Sequence, residues 1–578
     1  MGSLLLTRPN ATRKNGPVVI TSHINKLPPE LLSRIFHDIQ EEKEENFTEI
    51  TQLTTQWLAI LRVCSYWRDV AHATPLLWRT IEIDRSMEWL KRCLTRSATA
   101  PLRLRFHHPS RMATASRLLV EHAGRIQGIR VSGRETVKEL KSLRLLLVVT
   151  LPVLEELQVY VEDAYRLEDR FVLPQHLDVD VGHLPAIRTL KLEGVRFPWT
   201  YPLPRYLHTL ELRWTSMSLG LYRNDRRKDQ TTLSDILDAL EACQSLEHIA
   251  LYCALPRKLH GENQRVRRDR FITWPNLRSA LIGGEGRMGE DEFDTDAIRP
   301  VLEHIRFPER CDFRLEIESD VPSPYTDCLP DDPLCIPHLE KAVEAAWNGP
   351  RLFSCRTASA APVDHCFDCR ERQLVQGQLR VDMDVIAYWR HDEQQTGWED
   401  RALADFCRIL GLACLRKLAV AQGPSAQGFV TAFWAFPSVT ELSLEHDFSR
   451  NAEAESVHNF LFALAGGVMP SDAWNSPMSQ GSGPKEGQET NVPLRNLQSL
   501  RLLKIAWYDD LADDIERCLW SRVAGGAENL KELHIHVHRA RKWVKEERRW
   551  EVGPALSAEK ELRLRNLERW VGGPVMIS

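Results

Sequence analysis

Two hydrophobic rhythms divide the chain. In the first eighty or so residues, apolar positions return every third or fourth place. Leu31, Leu32, Ile35, Phe36 and Ile39 form one set; Leu53, Trp57, Ile60, Leu61, Cys64, Trp67, Val70 and Ala71 form a second. That spacing lines up one face of a helix. Pro28 and Pro29 suit the start of the first helix, where a missing N–H costs nothing. The run Glu41-Glu42-Lys43-Glu44-Glu45 ends its apolar face. The second set predicts a single helix from Thr51 to His72, stopped by Pro75. Beyond residue 84 a different phrase recurs, apolar-x-x-apolar-x-apolar, often after a proline.

Ten copies of that phrase are legible. They begin at Ile126, Leu154, Ile187, Leu207, Leu246, Leu277, Leu415, Val439, Leu497 and Leu530. In each, the last apolar pair alternates with a polar residue, which predicts a short strand. Helical patterns such as Leu233–Ala242 and Val457–Leu464 lie between copies. The first five copies start 28, 33, 20 and 39 residues apart, an irregular period. One strand-plus-helix unit cannot cover its own apolar face, so such units stack and their strands form a parallel sheet. The expected fold class is therefore α/β: a small all-α segment, then an irregular solenoid with parallel strands. The expected divisions are a flexible tail over residues 1–22, a helical domain over 23–83, a repeat domain over 84–545 and a capping segment over 546–578. Insertions are expected near 320–375, where Pro322, Pro324, Pro330, Pro333 and Pro337 break the rhythm, and near 467–493, rich in Gly, Ser, Pro and Gln.

The helical segment has further particulars. Leu27-Pro28 precedes Glu30-Leu31-Leu32, then Ile35-Phe36, then Val63-Cys64 with Trp67-Arg68, and finally Leu77-Trp78. In that order and composition the segment resembles the F-box. It departs in one respect: the interval from Phe36 to Val63 is about a dozen residues longer than in compact F-boxes, as in F-box-like variants common among fungal proteins. The resemblance implies a substrate-recognition subunit of an SCF-type cullin–RING ubiquitin ligase. The F-box would pack on a Skp-type adaptor and the later domain would hold a target. Carried over, Leu27, Pro28, Leu31, Leu32, Ile35 and Phe36 contact the adaptor, and Leu61, Cys64, Trp67 and Trp78 form the F-box core. The long second part resembles divergent leucine-rich repeats, although the Asn or Cys that usually follows the leucine phrase is mostly missing.

Composition narrows the class. The chain has 578 residues, 43% of them hydrophobic and 27% charged, with a net charge of −5. That balance argues against bulk electrostatic binding of nucleic acid. Thirteen scattered cysteines read as free thiols in a reducing cytosol or nucleus. No window holds the roughly 18 apolar residues a membrane span needs. Leu4-Leu5-Leu6 is too short for a signal-peptide core, and Leu6 stands where a myristoylation motif wants Ser or Thr. The run Leu145–Leu151 reads as a buried strand or helix end.

Catalytic signatures are weak. Gly284–Gly289 has the GxGxxG spacing, but Glu290, Asp291, Glu292 and Asp294 follow and repel phosphate, so a solvated loop is the expectation. Cys366 and Cys369, with Cys355 nearby, supply one CxxC where structural zinc wants two well-spaced pairs. His534, His536 and His538 share one strand face, expected to be an exposed side rather than a metal site. The basic stretch from His538 to Arg549 is expected to be a solvated capping helix. No cofactor and no catalytic residue is assigned. Two alternatives to the ligase reading stay open: an interaction scaffold outside the ligase, and a zinc-dependent enzyme centred on Cys355, Cys366 and Cys369.

Overall fold

The computed structural model describes residues 27–45, 54–83, 86–107, 112–133, 143–161, 175–176, 183–200, 203–214, 231–256, 269–285, 298–319, 328–330, 332–347, 352–358, 378–385, 398–421, 423–445, 454–467, 492–505, 507–537, 541–544, 549–552 and 556–578. The architecture is mixed α/β, with a helical N-terminal region and large, mostly parallel sheet structure. The chain divides into two compact units, 1–154 and 155–578.

The first unit opens with helices α1 (Pro29–Glu45) and α2 (Ser65–His72), with a 3-10 helix at Thr54–Arg62 before α2 and another at Pro75–Trp78 after it. Strands β1 (Thr80–Glu82), β2 (Leu102–Phe106) and β3 (Ile126–Gly133) follow, with α3 (Met87–Arg96) and α4 (Met112–Leu119) between them. The three strands pair in parallel, β1 with β2 and β2 with β3. The expected strand or helix end near Leu145 is a short helix over residues 143–147; it buries Leu143, Leu146 and Leu147 and leaves Leu145 and Val148 exposed.

The single helix expected over Thr51–His72 is broken in two. Residues 54–62 wind as a 3-10 helix, and the chain goes extended at Cys64 (φ −157°, ψ 173°) before α2 begins. Cys64 is the reason for the break: its Sγ accepts the Trp67 N–H at 3.4 Å, capping a new helix start.

The second unit is built on β4 (Glu156–Val161), β5 (Thr189–Glu193), β6 (Thr209–Arg213), β7 (His248–Tyr252), β8 (Ser279–Glu285), β9 (Asp312–Ser319), β10 (Ala342–Trp347), β11 (Leu352–Thr357), β12 (Gln378–Val385), β13 (Lys417–Ala421), β14 (Glu441–Glu445), β15 (Ser499–Ile505), β16 (Glu532–Val537) and β17 (Val575–Ile577). From β4 to β9 each strand pairs in parallel with its predecessor.

Each phrase read from the sequence carries a strand, and in nine of the ten copies that strand starts at the phrase's third residue. The local chemistry repeats. The phrase's first N–H closes a turn on the carbonyl three residues back, as Ile187 does on Leu184 and Val439 on Phe436, both at 3.2 Å. The second residue's carbonyl then accepts two N–H groups from the next copy: Glu155 from Arg188 and Thr189, and Arg188 from His208 and Thr209. The apolar first, fourth and sixth positions, such as Ile187, Leu190 and Leu192, are buried.

Order reverses in the proline-rich stretch. β9 pairs with β12, not with β10. β12 pairs antiparallel with β11, β11 antiparallel with β10, and β10 parallel with β13. From β13 to β17 the parallel, sequential order resumes. Helices α5 (Leu233–Ala242), α6 (Trp398–Ile409), α7 (Ala426–Ala435), α8 (Ala454–Leu464) and α9 (Leu511–Ala524) fill the connections, and α6 to α9 pack side by side in chain order. The basic segment expected as a capping helix is instead a two-stranded antiparallel ribbon, Arg541–Val544 against Arg549–Val552, with Trp543 in register with Trp550. In the second strand Trp550 and Val552 alternate with Arg549 and Glu551, which suits strand periodicity. Helix α10 (Ala558–Arg565) follows the ribbon.

Candidate functional site

The helical part of the first unit is the best-defined candidate. α1 starts at Pro29 because the Pro28 carbonyl accepts the N–H groups of Leu31 and Leu32, each at 3.1 Å, while the prolines need no donor of their own. Its apolar face then splits into two stripes. Leu32, Phe36 and Gln40, four residues apart, are buried. Pro28 and Leu31 are exposed, Leu31 by 49%, and Leu27 and Ile35 are half-buried.

Beneath the buried stripe lies an aromatic core. Phe36 meets Trp67 at 5.1 Å between ring centroids. Trp78 is surrounded by Trp57 at 5.3 Å, His72 at 5.8 Å and Trp89 at 5.9 Å. The Arg96 guanidinium lies 4.3 Å over its ring, and its Nε1–H donates to the Ala71 carbonyl at 2.9 Å. Burial, then the nearby Arg96 charge, holds His72 below the usual imidazole range, so its ring is neutral at pH 7 and Arg96 carries the charge here. Leu61, Cys64 and Trp67 are half-buried around this core.

Hydrogen bonds tie the starts of the elements together. Thr74 Oγ1 donates to the Val70 carbonyl at 2.8 Å, which uses its one proton, so Ser33 Oγ donates to Thr74 Oγ1, also at 2.8 Å. The Tyr66 hydroxyl donates to the Leu27 carbonyl at 2.8 Å, and Gln40 Nε2 to the Leu77 carbonyl at 3.4 Å. α1, the turn before α2 and the 3-10 helix at Pro75–Trp78 are thereby fixed as one body. Three large aliphatic side chains stay exposed on it: Leu31, Val63 at 56% and Leu76 at 43%. Val63 and Leu76 carry no expectation from sequence as contact residues. Both are flanked by residues that turn inward, Cys64 after Val63 and Leu77 after Leu76, and that alternation at the two element starts is the signal they offered.

The remaining chemistry separates. Cys355 is fully buried, its thiol pushed above the usual range by burial, and it donates to the His338 carbonyl at 3.5 Å. Cys366, Cys369, Gly286–Gly289 and His538 lie outside the described residues. His534 and His536 share a half-buried face of β16; His534 Nε2 is 3.2 Å from Ser578 Oγ, and His536 Nδ1 accepts from the Lys504 N–H at 3.2 Å. Among the described residues there is no group of three or more His, Cys, Asp or Glu that could hold a metal, and no helix long and apolar enough to cross a membrane.

Residues 24–84 match the family model described as F-box-like. Comparison with curated proteins gives no match. The body that presents Leu31, Val63 and Leu76 is thus an F-box-like domain.

Proposed function

We propose that the chain is a non-catalytic substrate-recognition subunit of an SCF-type cullin–RING ubiquitin ligase. The match of residues 24–84 to the F-box-like model carries this reading. In it, the helical domain binds a Skp-type adaptor, which joins the cullin scaffold, and the second unit holds a target protein in the cytosol or nucleus. The second unit is read as divergent leucine-rich repeats, on the strength of ten strand-bearing phrases with one hydrogen-bonding pattern. The chain forms and breaks no bond. It raises the local concentration of target beside activated ubiquitin, and tethering of this kind gains orders of magnitude without new chemistry.

The exposed stripe suits the adaptor role. Leu31, with Val63 and Leu76, is free to be covered, whereas Leu32 and Phe36 are already enclosed by their own domain. Leu31→Ala with Val63→Ala is therefore expected to remove adaptor and cullin from the co-purified full chain without lowering its melting temperature. Each buried anchor of this size is worth about 2 kcal/mol at an interface hot spot. A wild-type chain that captures no adaptor, or a double variant that captures it undiminished, sinks the assignment. Adaptor without cullin points to a scaffold outside the ligase.

A further inference from the structure

Two cross-strand rows stand in register on the half-exposed face of the second unit, where strand order reverses. The first runs Arg356, Glu344, Lys417, Glu441, Ser499 and Glu532, from β11 to β16. Each of its charges has an opposite or hydroxyl neighbour: Arg356 and Glu344 at 3.8 Å, Lys417 with Glu344 at 3.4 Å and with Glu441 at 3.3 Å, and the Ser499 hydroxyl donating to Glu532 at 3.4 Å. The second row, two residues further along every strand but β11, where the reversed direction makes it two earlier, runs Ser354, Ala346, Ala419, Ser443, Arg501 and His534. A concavity opens here, floored by the small side chains and bounded by the charged row on one side and Arg501 at its end.

The charges do not balance. Arg356, Lys417 and Arg501 line the concavity against Glu344 and Glu441, an excess of one cation. The excess sits at Arg501, half-buried and with no side-chain hydrogen bond or ion pair among the described residues. Beside it, burial and then the Arg501 charge hold His534 below the usual imidazole range, so His534 adds no second charge at pH 7. From Ser354 to Ser443 the floor crosses three strand spacings, about 14 Å, which is the length of about four extended residues. Ala346 and Ala419 lie deep in it, at 3% and 6% exposure.

The geometry points to an extended target segment crossing these strands, with four small side chains over the floor and an acidic group, carboxylate or phosphate, against Arg501. This deepens the target-binding half of the reading above and needs nothing from the adaptor half. The test uses the immobilised full chain and an oriented peptide library, four random positions followed by a fixed Glu, phosphoserine, Gln or Lys. Glu or phosphoserine is expected to exceed Gln by about tenfold, the scale of one charge-assisted hydrogen bond, with Gly, Ala and Ser enriched before it. The stronger of the two acids identifies the group. Arg501→Gln is expected to abolish the preference and Arg501→Glu to transfer it to Lys; neither orphans a partner, and melting curves check the fold. Ala419→Leu is expected to weaken every peptide. Absence of acid selection in the wild type, or its survival in Arg501→Gln, overturns the proposal. Adaptor capture measured on Arg501→Gln is expected to be unchanged, so either reading can fail alone.

Discussion

Leu31 and Phe36 belong to one helical face in the sequence and to opposite fates in the fold. Both fit the F-box pattern, and periodicity alone gives them equal standing. The difference arises because α2 and the 3-10 helix at Thr54–Arg62 cover only one edge of α1. Phe36→Ala is accordingly expected to act on stability, by about 3–5 kcal/mol, with adaptor capture lost only as the domain unfolds; a urea titration beside the pull-down separates the two. Other residues gave no warning at all. Asp312 opens β9 with 7% exposure and no partner for Oδ2 among the described residues. Burial pushes its carboxyl up to about 7 against the pull of Arg314 and Arg380. A carboxyl raised in the folded state penalises folding where both states are ionised, above about pH 7. The penalty is relieved as pH falls toward the ordinary carboxylate range near ~4. Asp312→Asn is thus expected to raise the melting temperature more at pH 8 than at pH 5, where part of the penalty is already relieved; equal effects at both would show that the carboxyl is not the cause. Arg522 is equally silent in sequence. It is 2% exposed and donates to the carbonyls of Leu464, Pro493 and Leu494, which lie 28 to 58 residues away. A charged letter does not announce burial when its partners are backbone atoms of distant segments.

At the scale of elements, legibility followed locality. The apolar phrase predicted strands because alternation is a property of neighbouring residues, and α5 falls on the Leu233–Ala242 pattern for the same reason. The break at Cys64 was hidden because a cysteine cap has no strong sequence signature. The ribbon of Arg541–Val544 and Arg549–Val552 was hidden because its first strand, two basic residues and then two apolar ones, has no two-residue period. The reversal of β10, β11 and β12 depends on pairing across the sheet, which a single sequence does not encode visibly. Tight packing between strands also has a residue-level price. A side chain at Gly283 in β8 meets the Glu316 carbonyl of β9 and the Tyr252 ring of β7. Gly283→Ala is expected to destabilise the second unit by about 1–3 kcal/mol through overpacking, readable as a lower denaturation midpoint. An unchanged midpoint would mean that the two strands separate readily to admit a methyl group.

For the molecule as a whole, the two units each enclose a core of their own, so their proposed roles should be separable. Leu31→Ala with Val63→Ala is expected to leave peptide selection intact; a loss of selection in that variant would reveal coupling between the units. The reversed strands carry a different consequence, one for synthesis. Strands β4 to β9 can join their neighbours in the order in which the chain emerges from a ribosome. The β10–β11 hairpin cannot, because it has no paired neighbour among the earlier strands until β12 bridges β9 and β11. A nascent chain halted after residue 357 therefore holds three bare strand edges, one on β9 and one on each strand of the hairpin. Bare edges of this kind invite pairing with other chains. Joining the hairpin and the C-terminal strands to β9 waits on one eight-residue segment, Gln378–Val385, and until it arrives those edges stay open to other chains.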